Sequence, residues 1–120
     1  MTDPATQILI KALARIRQPG AWTQHAYART SPEGLPVAPY DIDATCWCGI
    51  GVCRSFDPQT YGGLGWPALE AEDRLHAWAR DNHNCHAVAF NDARGRTQDD
   101  AVAMFEAVIA AGPLPNQVAE

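Results

Sequence analysis

The chain has 120 residues, 47% of them hydrophobic, and 9 basic against 14 acidic residues give a net charge of −5. That length holds one domain with one modest core, because 21 of its hydrophobic residues are alanines. The apolar runs are too short to cross a membrane, and one Lys and eight Arg scattered along the chain make no basic face, so neither a membrane nor a nucleic acid is expected as a partner.

The first twenty residues carry Asp3, Lys11, Arg15 and Arg17, a pattern unlike a secretory signal. The expected setting is the cytoplasm, with Cys46, Cys48, Cys53 and Cys85 reduced. Thr2 or Asp3 is placed to cap a first helix, with Pro4 at its opening position and Ile8, Leu9, Ala12, Leu13 and Ile16 on one face. Pro19-Gly20 stops it. Residues 21–45 are rich in turn formers, and 27–30 with 35–37 predict a short irregular hairpin that Pro36 and Pro39 confine to an edge. The run ATCWCGIGVCR at 44–54 predicts a short buried helix, in which Gly49 and Gly51 allow close packing against another backbone.

Residues 57–66 read as a glycine-rich loop. Pro67 opens a helix to about Arg80, with Glu70, Glu72 and Asp73 near its positive end and Ala68, Ala71, Leu75, Trp78 and Ala79 as the buried stripe. Residues 85–90 predict a strand or an extended core segment, and 91–95 a turn. Thr97 and Asp100 have the form of a capping box for a last helix to Ala111, which buries Ala101, Val102, Phe105, Val108 and Ile109. Gly112-Pro113 ends it and leaves a flexible tail over 113–120. The expected architecture is mainly α: a single domain over 1–120 with an ordered core at about 4–112, three to four helices and a small irregular hairpin. An α+β fold is the near alternative.

Three constellations carry possible chemistry. Cys48 in the first turn of a short helix would gain thiolate character, with His83 or His86 as base and Asn91 or Asp92 to orient the imidazole, which is the order of a thiol hydrolase or transferase. The plainer reading is a small core cysteine. Cys46, Cys48, Cys85 and His86 supply ligand types for tetrahedral zinc, although Cys-x-Cys within a helix points its thiols apart. Asn91, Asp92, Gly95, Arg96 and Thr97 lead into a helix N-terminus, where Arg96 and free N–H groups suit an anion; a structural capping turn explains the same residues. Trp22, Trp66, Tyr40 and Tyr61 are candidate partner anchors, or lids over the core.

Four pieces occur in order: WTQHAYAR at 22–29, GLPV at 34–37, WCGIG at 47–51 and FNDARGRT at 90–97. Together they resemble an uncharacterised family, a domain of unknown function of GC-rich bacteria and their phages, with W-C-x-x-G-A and W-N-D-x-x-G-R-T motifs. The resemblance spans about 7–111, and its last motif is the most specific. Phe90 stands where the family has Trp, and Val52 where Ala is common. Cys48 alone of the four cysteines falls on a family motif, and the histidines have no counterpart there. The resemblance implies a fold and a phage or mobile-element setting, not a mechanism. The function expected is a small non-enzymatic module binding a protein partner, for example a counter-defence (anti-CRISPR) inhibitor of a host complex, with no cofactor and with a homodimer as one form. The thiol enzyme and the zinc-stabilised module are the alternatives.

Overall fold

The computed structural model describes residues 3–56 and 66–117. The loop expected at 57–66, with Tyr61, therefore lies outside the described residues except for Trp66. Helix α1, Pro4–Ile16, starts where the sequence places it: the Asp3 carboxylate accepts from the Thr6 N–H at 3.1 Å, and Pro4 follows. Ile8, Leu9, Ala12 and Ile16 are buried, and Leu13 is half-buried against the core. Helix α3, Trp66–His83, and helix α5, Gln98–Ala111, pack against α1 and each other. Alanines on these faces let the helix axes approach, and Leu9, Leu75, Met104 and Phe105 fill the space between them.

The capping box of α5 is complete, with Thr97 Oγ1 accepting from Asp100 N at 3.2 Å and Asp100 Oδ2 from Thr97 N at 3.0 Å. Gly112 closes the helix at φ 75°, a left-handed conformation that suits glycine. Met104 is buried and was not anticipated, while Val102 and Ile109 are half-buried.

Strands β1, Ala28–Arg29, β2, Pro36–Val37, and β3, Cys46–Trp47, form an antiparallel sheet in the order β2-β1-β3. Ala28 faces Val37 on one side and Trp47 on the other. The hairpin and its proline-bearing edge are as expected. The third strand was not: residues 46–47 were read as helix. Helix α2, Gly49–Ser55, begins later because Cys46 and Trp47 pair with β1 first, and the outer side of β3 bonds back to 21–23, with Trp47 N donating to Ala21 O and Thr23 N to Trp47 O.

Gly51 meets its expectation: a Cβ there would overlap the Tyr27 carbonyl. At Gly49 the neighbour is instead a side chain, Met104 Cε at 3.0 Å from the position of a Cβ. Residues 87–92 correct another expectation. They are helix α4, Ala87–Asp92, and not a strand. Its first N–H, on Ala87, is capped by Nδ1 of His76 from α3 at 3.2 Å, a contact that a local pattern does not reveal. Asn91 and Asp92 thus form the last turn of a helix and not a loop.

The described molecule is mainly α, with five α-helices among the described residues and a small β part. Two of those helices, α2 and α4, are too short to show a clear period. Of the expected tail, 118–120 lie outside the described residues. Residues 115–117 form a 3₁₀ turn, and Gln117 docks on α3, where its Oε1 accepts from Arg74 Nε at 2.7 Å.

Candidate functional site

Asn91 sits at the end of α4, 1% exposed, and uses its whole amide. Its Oδ1 accepts from Trp22 Nε1 at 2.7 Å and from Gly49 N at 3.1 Å, and its Nδ2 donates to Thr23 O and Asp92 Oδ1, both at 3.0 Å. Gln24 Nε2 adds bonds to the carbonyls of Asn91 and Ala93. Asp92 Oδ1 also accepts from the backbone N–H of His25 at 2.8 Å and so holds His25 at φ 64°, a left-handed conformation uncommon for a residue with a side chain. These bonds fasten segment 22–25 to α2 and α4.

Trp22 is consequently not an exposed anchor. Its indole is half-buried, and its N–H is committed to Asn91. Trp66 is 71% and Tyr40 51% exposed, as an anchor requires. Arg96 does not turn outward as an anion fork: its Nε donates to Phe90 O at 2.7 Å, and its guanidinium lies over the Phe90 ring at 3.9 Å. The N-terminus of α5 is occupied by its own capping box.

Cys48 is the N-cap of α2 and not part of its first turn. Its Sγ accepts from Gly51 N at 3.3 Å, and the side chain is buried. Burial pushes the thiol up to about 11; the N–H groups of Gly51 and Ile50 pull the other way, and the charge of Asp92 raises it further. Desolvation thus opposes the thiolate expected at this position. The partners expected for it are engaged elsewhere: His83 packs on the rings of Trp78 and Phe90, and His86 stands edge-on to His76.

The four proposed zinc ligands are not gathered either. Cys46 Sγ points to Arg29 O at 3.7 Å, Cys48 caps α2, and among the described residues no group of three His, Cys, Asp or Glu side chains has metal-site geometry. Cys46 and Cys48 come apart because they belong to different elements, a strand and a helix cap.

A cleft of about 390 Å³ does open beside Cys48. Tyr27, Pro36, Val37, Pro39 and Val88 give it apolar walls, and His25, Asp92 and Cys48 are its polar members. The imidazole Nδ1 of His25 lies 3.9 Å from Asp92 Oδ2. Sequence reasoning missed His25, which sits in an ordinary turn-forming stretch; its place depends on a bond to a residue 67 positions away. A second cleft, lined by Arg15, Tyr40, Asp41 and Ile42, shares Pro39 with the first.

Two buried ionic contacts were also missed. Arg54 makes a two-pronged pair with Glu72, both bonds 3.0 Å, and Arg74, 2% exposed, donates to Asp3 Oδ1, Thr6 Oγ1 and Gln117 Oε1. Glu72 was expected only as a charge near the helix start.

The family described as "Family of unknown function (DUF6197)" matches residues 1–111, and the chain belongs to that family. No curated protein and no solved structure matches the chain.

Proposed function

We propose, from membership of a family without an assigned activity as the premise, that this domain is a protein-binding module with no catalytic role. The observation that carries the reading is where the exposed apolar side chains lie. Tyr27, Leu35, Tyr40 and Ile42, four of the seven large hydrophobic residues exposed among the described ones, fall on the small sheet and the loop after it, with Leu35 at 74% and Ile42 at 96%. Pro39 joins the clefts that Tyr27 on one side and Tyr40 and Ile42 on the other line, so these three side chains border one surface, and Leu35 precedes Pro36 of the first cleft. Asn91 and Arg96 are bonded inside the fold, whereas Leu35, Tyr40 and Ile42 stand exposed among the described residues. A second copy of the chain is one partner it would accept. The finer expectation, a phage- or mobile-element-encoded inhibitor acting in the cytoplasm on a host complex, rests on size, acidity and the resemblance.

The test compares the wild-type chain with the Leu35→Asp/Ile42→Asp variant in affinity capture and in sedimentation. The expected result is a bound protein or self-association lost in the variant at an unchanged melting temperature. Equal behaviour of both chains overturns the reading.

A second reading has one observation in its favour: Cys48, His25 and Asp92 line the same cleft, so a thiol mechanism would use His25 in place of His83 or His86. Site-resolved alkylation near neutral pH separates the two. Slow labelling of Cys48, similar to buried Cys53, supports the binding module. Rapid labelling of Cys48 alone supports the thiol enzyme.

A further inference from the structure

We infer that the cleft beside Cys48 is a binding site for a lysine side chain of a partner protein, with Asp92 as the anchor for its ammonium group. The inference deepens the protein-binding reading and rests on it.

The cleft has the size of a ligand pocket, about 390 Å³ against roughly 300–1,000 Å³ for such sites in general. Its walls are apolar over most of their extent, which suits an aliphatic stem lying along Pro36, Val37 and Val88. One carboxylate interrupts those walls. Asp92 is 23% exposed, and its two oxygens differ. Oδ1 is occupied by His25 N and Asn91 Nδ2. Among the described residues, Oδ2 meets only the His25 imidazole, at 3.9 Å, beyond hydrogen-bond range. A half-buried carboxylate that lines an apolar cleft, held in place by two donors on one oxygen and with the other unbonded among the described residues, is preorganised for a cation, and its low-dielectric surroundings strengthen the attraction.

The same geometry selects among cations. A guanidinium prefers both carboxylate oxygens in a fork, but Oδ1 is already taken. An ammonium is a point charge and needs a single oxygen. One face of the Tyr27 ring already carries the Arg54 guanidinium, 4.5 Å from its centre, and is not open to a second one. The net charge of −5 favours approach of a basic segment.

The experiment is an NMR titration of the full chain, following the methyl groups of Val37 and Val88. The probes are four capped pentapeptides, acetyl-Ala-Val-X-Val-Ala-amide with X as lysine, arginine, norleucine or glutamate, and free n-pentylamine. The expected order is lysine, arginine, norleucine and glutamate, with lysine about five-fold tighter than norleucine, a preference that salt weakens. Asp92→Asn, which keeps an oxygen for His25 N, is expected to remove the lysine preference. The wild-type comparison stands by itself should that variant fold poorly. Equal affinity for lysine and norleucine overturns the inference. So does pentylamine shifting these methyls while the capped peptides do not, since the ligand is then a small amine. A partner held through Leu35 and Ile42 without any lysine preference removes this inference and keeps the protein-binding reading. Loss of both removes that reading as well.

Discussion

Asn91 and Arg74 are both polar side chains inside the fold, 1% and 2% exposed, and each fastens three remote stretches of chain. Asn91 ties segment 22–25 and α2 to α4. Arg74 ties the start of α1 and the C-terminal turn to α3. One junction is built on a neutral amide and the other on an ion pair. Three of the four Asn91 bonds join neutral groups and only the fourth reaches a carboxylate, that of Asp92, so pH and salt touch this junction less. A buried guanidinium depends on the carboxylate that compensates it. The part of the molecule that carries the cleft is thus fastened by the amide junction, and its termini by the charged one.

The sharpest way to break the first junction is at the backbone it supports. Gly51→Ala would drive a methyl group into the Tyr27 carbonyl, so α2 and β1 must part; the expected loss is about 4 kcal/mol or more, read as a collapsed denaturant midpoint. Asn91→Ala comes next. It leaves the Trp22 indole N–H, Gly49 N and Thr23 O without their partner, at an expected cost of about 3 kcal/mol, with little change in its size between low and high salt.

Arg74→Met is expected to cost about 2 kcal/mol, less than Asn91→Ala because Asp3 and Thr6 are only partly buried and water can reach them. It also carries a pH signature. Burial raises the Asp3 carboxyl, but hydrogen bonds from Arg74 and Thr6 and the Arg74 charge outweigh it and hold the group at about 2, against 3.8 unperturbed. A depressed carboxyl contributes stability in full above the unfolded value, so this share is present above pH 3.8 and is lost as pH falls through about 2. Unfolding curves of wild type and Arg74→Met should converge over that window, while those of wild type and Asn91→Ala should stay apart. The smallest effect is a reference for a single exposed cap: Thr97→Ala, about 1 kcal/mol by thermal unfolding.

The two junctions were unequally legible. Asn91 belonged to the segment singled out from the sequence, since an Asn-Asp pair near a helix start signals local backbone bonding. Apart from Asp92, its partners lie 42 to 69 positions away and could not be read locally. Arg74 gave no signal, because an arginine among charged residues on a helix normally faces water. Only the arrival of Asp3, Thr6 and Gln117 from both ends of the chain makes its burial tolerable.

The sequence by itself determined the long helices and the ends of α1 and α5, while α3 runs three residues past the expected Arg80: Asp3-Pro4, the Thr97–Asp100 box and Gly112 act within a turn of where they stand, and an apolar period sustained over three turns needs no tertiary partner to be seen. It also determined the hairpin and the close approach at Gly51. Tertiary structure alone decided where α2 begins, the helix α4 and the third strand, since their backbone groups are satisfied by distant partners, His76 at the start of α4 and β1 alongside Cys46 and Trp47. It set the surroundings of Cys48 as well. A helix terminus promises a thiolate, but burial costs that charge more than two N–H groups return, and burial is a property of the packed molecule. The cleft follows the same rule, because His25, Cys48 and Asp92 become neighbours only after Asn91 has drawn their segments together.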